Sequence, residues 1–357
     1  MTRLYLRPAA FVDTPIGLDG RVARLAGGLS WFSGVELLRR DGARLSREFL
    51  PIAELETQLS ALGLEREWAA LTAPRAPLQL GERVVRLDQP QVVGILNATP
   101  DSFSDGGQFG GFEDAAVAGH AMAAAGAAVI DVGGESTRPG AQPVWEGDEA
   151  ARVVPVVERL ARAGTAVSVD TRKAAVMEAA LRAGATMIND VSALCWDDRA
   201  LGVVANAGCP VVLMHHQGSP ETMQQNPSYE GPVLLEVYDW LEQRIAAAVA
   251  AGVSRERIIV DPGIGFGKTL QHNLALLNGL ALFHGLGCPL MLGASRKRMI
   301  GALANEAPTD QRLAGSLALA LQGAAQGVQL LRVHDVAETV QALRIWRGLR
   351  DAALSGL

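Results

Sequence analysis

Lysine and cysteine are both scarce in this chain. Only Lys173, Lys268 and Lys297 among its 357 residues are lysine, and only Cys195, Cys209 and Cys288 are cysteine. The cysteines lie far apart with no Cys-x-x-Cys pair, so neither a disulfide framework nor a zinc site is suggested, and they read as buried thiols in a reducing cytosol. The N-terminus lacks the basic, apolar and small-residue order of a signal peptide, and no run of about 18 uncharged apolar residues occurs. A soluble, cytoplasmic protein with no membrane partner is expected. Positive charge is also in deficit: a net charge of −6 argues against a nucleic-acid partner, while leaving room for a local basic pocket. Each of the three lysines falls in a loop directly after a predicted strand, where a compact, mobile ammonium does what a planar guanidinium cannot.

The chain is 49% hydrophobic and long enough for one large core with a small extra domain. From about residue 91 the pattern is strand, loop and amphipathic or Ala-rich helix, repeated to the end. Eight strands are predicted, at about 91–97, 128–134, 166–171, 187–192, 210–215, 258–263, 290–295 and 328–334. Helical stretches lie between them, among them Glu113 to Ala125, Trp145 to Ala163, Lys173 to Ala183, Val233 to Ala251 and Asp310 to Gln326. Eight such units with no strand left over favour an α/β fold, a closed (β/α)8 TIM barrel over residues 91–352, rather than an open doubly wound sheet. Residues 1–75 break this rhythm and carry Trp31, Phe32, Phe49 and Trp68; they read as a small α+β domain, a docking or dimerisation module rather than a second catalytic site. Residues 76–90 read as a linker, introduced by Ala73-Pro74-Arg75-Ala76-Pro77.

In such a barrel the C-terminal strand ends converge on one mouth. Read in order, these ends carry Asn97 and Asp101; Glu135 to Gly140; Asp170 and Thr171; Asn189 and Asp190; Met214, His215 and His216; Asp261 with Gly263 to Lys268; Ser295, Arg296 and Lys297; and Arg332 to Asp335. Any single carboxylate here has an innocent reading, Asp170 or Asp190 as a helix cap and Asp261 before Pro262 as a strand terminator. Eight consecutive polar strand ends do not, and they mark an active site. Gly263 to Thr269 ends Gly-Lys-Thr, but the first P-loop glycine would fall on Pro262 and the glycine spacing fails the dinucleotide pattern, so nucleotide binding is rejected. The glycines instead let backbone pass close to a flat ligand, with Phe266 offering a ring face. His215 and His216 are adjacent on a strand and point to opposite faces, which disfavours a histidine-based metal cluster. Arg138, Lys297, Arg332 and His334 form a candidate cradle for a group the size of pyrophosphate.

These motifs, in this order, resemble the dihydropteroate synthases of the pterin-binding enzymes over about residues 91–350. The match rests on Gly94-Ile95-Leu96-Asn97 with Thr99 to Gly107, Gly133-Gly134-Glu135-Ser136-Thr137-Arg138-Pro139-Gly140, Ser168-Val169-Asp170-Thr171 and Ile188-Asn189-Asp190. It continues in Asp261-Pro262-Gly263, Ser295-Arg296-Lys297 and Arg332-Val333-His334-Asp335-Val336. The resemblance implies condensation of 6-hydroxymethyl-7,8-dihydropterin pyrophosphate with p-aminobenzoate, giving 7,8-dihydropteroate and pyrophosphate in folate biosynthesis. It further implies a Mg²⁺ cofactor, a homodimer and a sulfonamide target.

By the same resemblance Asp170, Asn189, Met214, Asp261, Gly265, Phe266 and Lys297 bind the pterin. Asn97, Phe103, Thr137, Arg138, Pro139, Ser295, Arg332 and His334 serve the pyrophosphate and p-aminobenzoate. Lys297, Arg332, His334 and Asp101 carry the catalytic assignment, with Asn97 as the metal ligand and Asp101 as a candidate metal partner. Breaking a carbon–oxygen bond to pyrophosphate builds negative charge on the leaving group, which calls for a cationic clamp; the arylamine is already nucleophilic and needs no strong base. Two alternatives share the pterin readers: a non-catalytic pterin-binding paralogue, and a pterin-dependent corrinoid methyltransferase, which would not need the Ser-Thr-Arg-Pro-Gly lid or the cationic clamp. His216 stands where the family commonly has methionine, and the N-terminal extension is a second departure.

Overall fold

The computed structural model describes residues 2–42, 44–98, 107–136, 142–218 and 222–355. Its first unit consists of β1 (Arg3–Val12), β2 (Ala23–Arg24), β3 (Trp31–Asp41), β4 (Arg44–Pro51), α1 (Ile52–Leu62) and α2 (Glu65–Thr72). The sheet is antiparallel, with β1 along one side of β3 and both β4 and β2 along the other. Apolar strand residues Phe32, Val35, Leu37 and Leu50 meet Ile52, Leu55, Leu64 and Leu71 in a core of their own. This is the α+β domain expected of residues 1–75. Ala281, from the barrel, belongs to the same core and marks where the two units join.

Residues 76–90, read as a linker, fold instead as a hairpin of β5 (Leu78–Leu80) and β6 (Arg83–Val85). Its Leu78, Leu80, Val85 and Leu87 pack against Val93, Val129, Met187, Val212, Ile259, Met291 and Leu330, which point inward at the base of the barrel. The hairpin is therefore the stopper of the barrel's N-terminal end. Its alternating apolar pattern was the sequence signal for it.

The barrel follows as β7 (Gln91–Asn97), α3 (Gly107–Ala125), β8 (Val129–Gly133), α4 (Glu146–Arg162), β9 (Val167–Asp170), α5 (Ala174–Arg182), β10 (Met187–Asp190) and α6 (Ala200–Ala207). It continues with β11 (Val211–Met214), α7 (Val233–Ala250), β12 (Ile258–Asp261), α8 (Leu270–Asn278), β13 (Met291–Leu292), α9 (Arg298–Leu303), α10 (Leu313–Ala325), β14 (Leu330–Val333) and α11 (Val336–Leu354). All eight strands are parallel, and β14 returns to pair with β7. A parallel bridge between Val260 and Leu290 closes the remaining gap between β12 and β13.

The strands read as continuous apolar runs because both faces are covered. Outward residues such as Val132, Val169, Leu213 and Val260 share the large core with helix residues Val153, Val157, Leu160 and Leu241. The inward residues change character along the axis: apolar at the base, then polar from Asp131, Ser168 and Asn189 upward. A barrel interior normally fills with branched apolar side chains, so this polar upper layer is what the fold has made room for.

Candidate active site

Arg332, inward-facing on β14, organises the floor of the mouth. Its Nε donates to Asp131 Oδ2 at 2.6 Å and its Nη2 to Asp170 Oδ2 at 2.8 Å. Asn189 Nδ2 donates to the same Asp131 oxygen at 2.9 Å. The second oxygens of Asp131 and Asp170, together with Ser168 Oγ, are buried with no hydrogen-bond partner among the described residues. Buried polar atoms in folded proteins are nearly always paired, so this trio faces a polar ligand or ordered water. Gly133 and Gly293 keep the space open: a first side-chain carbon at Gly133 would sit 3.7 Å from Asp170 Cβ, and one at Gly293 would sit 3.6 Å from Asp261 Oδ2.

The charges here are strongly perturbed. Burial pushes the Asp170 carboxyl up to about 7, against the pull of Arg332 and with reinforcement from Asp131. Asp261 is raised by burial too, opposed by the Gly263 N–H and by Lys297, Arg332 and Lys268. For Arg332 burial acts against the charged form, but Asp131 and Asp170 outweigh it and hold the guanidinium above its ordinary value.

Asp261 ends β12 and turns the chain: its Oδ1 accepts the Gly263 N–H at 2.7 Å. Gly263 has φ +67°, and any side chain there would put its first carbon 1.9 Å from the His215 carbonyl oxygen. The loop then brings Gly265 and Phe266 beneath Lys297. The Lys297 ammonium lies 4.0 Å from the Phe266 ring centroid, and its Cδ is 3.3 Å from where a Gly265 side chain would begin. Met214, at the end of β11, is paired in register with Asp261.

On the same side of the mouth Ser295, after β13, and His334, after β14, meet. The serine Oγ is 3.1 Å from His334 Nδ1 and also accepts the His334 N–H at 3.2 Å. Between Ser295 and Lys297, Arg296 has φ +56°, a conformation disfavoured for a side-chain-bearing residue. It is held there by its N–H on Ser316 Oγ, its carbonyl on Arg312 and its guanidinium on Asp335. Strain locked from three sides aims Ser295 and Lys297 at the mouth.

The structure thus gathers Asp170, Asn189, Met214, Asp261, Gly265, Phe266, Lys297 and Arg332 at one end of the barrel, with Asn97 ending β7 beside Gly133 and Ser295 bonded to His334. Asp101, Phe103, Thr137, Arg138 and Pro139 lie outside the described residues. The Arg332 guanidinium, read with the pyrophosphate group, lies between Asp131 and Asp170. Asp190 takes the innocent role, accepting from Ser192 N, Ser192 Oγ and Leu194 N. His215 packs against Trp240, and His216 Nδ1 bonds to the Gly218 carbonyl.

Sequence reading missed Asp131 and Ser168, although an acid inside the apolar run Val129-Ile130-Asp131-Val132 was a signal for the first. It also did not foresee the buried network in which Arg172 and Lys173 grip Glu135 while Lys173 also holds Glu149. Among the described residues no group of three or more His, Cys, Asp or Glu is arranged to hold a metal ion, and no helix is long and apolar enough to cross a membrane.

Comparison with known proteins shows which family this barrel belongs to. Residues 93–334 match the model of the family described as pterin binding enzyme. The Escherichia coli K12 dihydropteroate synthase is 50% identical over 260 residues, covering 72% of this chain and 91% of that protein. The Bacillus subtilis dihydropteroate synthase is 42% identical over 255 residues, 71% of this chain and 86% of the relative. Among solved structures, Yersinia pestis dihydropteroate synthase with a sulfonamide drug superposes with a TM-score of 0.73 at 46% identity, covering 77% of this chain and 99% of that one. The Xanthomonas albilineans enzyme in complex with 7,8-dihydropteroate gives 0.70 at 45% identity, covering 77% and 98%. A polar barrel mouth built on these residues, in a chain this similar to those enzymes over almost their whole length, belongs to the dihydropteroate synthase family of pterin-binding enzymes.

Proposed function

We propose that the protein condenses 6-hydroxymethyl-7,8-dihydropterin pyrophosphate with p-aminobenzoate, forming 7,8-dihydropteroate and releasing pyrophosphate. The observation that carries this is the polar floor: Arg332 bridging Asp131 and Asp170, Asp261 opposite, and Lys297 over Phe266, around a space kept clear by Gly133 and Gly293. A dihydropterin presents an amide-like edge of donors and acceptors. Asp261 and Asp170 accept from it and Asn189 completes it, while Phe266 and the Lys297 stem cover a ring face.

The bond that forms joins the amine nitrogen to the pterin methylene, and the bond that breaks is the methylene carbon–oxygen bond to pyrophosphate. The electron pair leaves with the pyrophosphate, and the amine proton passes to solvent. Lys297 and Arg332 supply positive charge near the departing group and His334 offers its ring beside them, with Ser295 orienting His334 and lying at the p-aminobenzoate carboxylate end. The assignments of Thr137, Arg138, Pro139 and Phe103 as lid residues, and of Asp101 beside the leaving group, rest on the family resemblance alone.

Mg²⁺ suits this mouth as a companion of the pyrophosphate. Asn97 offers a carboxamide oxygen at the rim, Asp170 is engaged by Arg332, and Mg²⁺ ordinarily combines one or two protein oxygens with phosphate oxygens and water. When bound it neutralises charge on the leaving group. A homodimer is implied by the family, and Ile345 and Leu349, exposed one turn apart on α11, are apolar surface that a second copy would cover.

The deciding experiment measures pyrophosphate release with Mg²⁺ and the pterin substrate, with and without p-aminobenzoate. Amine-dependent release with dihydropteroate formed is expected. Tight pterin binding without turnover would overturn the reading in favour of a non-catalytic pterin binder. Light scattering on the same preparation reads the subunit count, and a monomer would refute the dimer.

A further inference from the structure

Lys268 is a charged residue with no catalytic assignment, 3% exposed just behind the pterin pocket. Its ammonium has three donors and finds three acceptors: His215 Nδ1 at 2.9 Å, the Phe266 carbonyl at 2.9 Å and the His215 carbonyl at 3.3 Å. None is a carboxylate, and among the described residues no counter-ion touches this buried cation, an arrangement that an apolar side chain would avoid. Burial accordingly brings this lysine down to about 7, with Lys297 acting in the same sense and Asp261 against it.

What the ammonium does is join two loops. His215 begins the segment after β11, and Phe266 lies in the segment after β12. The two are in contact with no room between them: a side chain at Gly267 would place its first carbon 2.4 Å from the Gln217 carbonyl oxygen. The histidine ring is set edge-on against Trp240 at 4.9 Å, which keeps it oriented toward Lys268. Neighbouring bonds fix the rest of the loop, from Gln224 to the Gly265 carbonyl, from Tyr229 to the Gly267 carbonyl and from the Gly265 N–H to Asn273. The ring so positioned is the one on which Lys297 rests.

We infer that Lys268 is a positioning residue for the pterin pocket: by bridging the carbonyls of His215 and Phe266 it holds the Phe266 ring, and Lys297 upon it, where the flat face of the pterin is to lie. The inference rests on the proposed function and assigns this lysine to pterin affinity rather than to the transfer step. It acts through Phe266 and does not itself enter the mouth.

The test compares full-length wild type with Lys268→Met, which keeps the length of the side chain and removes its donors. The KM for the pterin substrate, and its Kd measured calorimetrically without the amine, should rise about 10-fold or more, the effect of losing pre-positioning worth one or two hydrogen bonds. The KM for p-aminobenzoate should stay within about threefold, since only binding at the pterin face has been disturbed. Lys268→Gln, which keeps two donors, should recover part of the pterin affinity, a rescue that loss of general stability would not produce. If Lys268→Met does not fold, His215→Gln, which deprives the ammonium of its ring acceptor, takes its place and should raise the pterin KM alone. An active wild type with an unchanged pterin KM in the variant overturns the inference, whereas an inactive wild type that binds pterin overturns the proposed reaction instead.

Discussion

Arg332 sets the behaviour of two acids at once, because one guanidinium spans Asp131 and Asp170. Removing it takes away the cation that opposes burial at Asp170, whose carboxyl is already pushed up to about 7, so Asp170 would hold its proton at neutral pH and cease to be a good acceptor, and Asp131 would lose its charged partner. Arg332→Ala should therefore lower kcat/KM by at least about 100-fold, and Arg332→Lys should restore little, since a point charge does not bridge two carboxylates. Steady-state kinetics decide it, and near-normal turnover in the alanine variant refutes the assignment. Lys268 makes a different prediction, for stability. Its ordinary value of 10.5 falls to about 7 in the folded protein, so between these limits the unfolded chain binds more protons and stability rises with pH. That contribution is lost as pH falls through 7. The slope should be present in wild type and absent in Lys268→Met when unfolding free energy is measured from pH 7 to 10; equal slopes would show that the lysine is not desolvated.

At the scale of elements the β5–β6 hairpin carries the clearest lesson. Leu80 is buried against the apolar base of the barrel, and Leu80→Ala should cost about 2–5 kcal/mol by cavity formation while leaving the pterin KM unchanged, because the polar layer separates base from mouth. Chemical denaturation with parallel kinetics checks both halves, and a fall in pterin affinity would show that the stopper reaches the site. The hairpin was misread because Ala73 to Pro77 signals a linker locally, whereas the burial of Leu78, Leu80, Val85 and Leu87 depends on strands far along the chain. The eight barrel strands were legible to within a few residues because parallel strands covered on both faces leave continuous apolar runs. Their polar ends were legible for the same reason, as breaks in those runs. Asp131 escaped because it sits mid-strand, where an acid is tolerable only if a partner such as Arg332, 201 positions away, reaches across the barrel. Pairings across a barrel are not written in local pattern, and neither is the Lys268 bridge, whose acceptors are mainly backbone carbonyls.

For the whole molecule the question is what fastens the N-terminal unit to the barrel, since it lies outside residues 93–334. Its core continues into Ala281, Tyr5 meets Tyr238 edge-on at 5.6 Å, and Arg75 donates to the His284 carbonyl at 2.9 Å. The polar centre of the contact is Asp239 on α7. It accepts from Tyr5 Oη at 3.0 Å and pairs with Arg3 at 2.9 Å and with Arg40, so one carboxylate gathers donors from β1 and β3. An isolated surface ion pair contributes little, but here removing the acid would leave two guanidiniums and a phenol facing one another at a half-closed interface. Asp239→Ala should accordingly destabilise the protein by about 1–3 kcal/mol. Restoring the acceptor as a neutral carboxamide in Asp239→Asn should recover only the share owed to hydrogen bonding, since the charge stays absent. Thermal unfolding of the three proteins reads this directly, and an Asp239→Ala protein as stable as wild type would show that the apolar contact through Ala281 and Tyr238 alone holds the unit on the barrel.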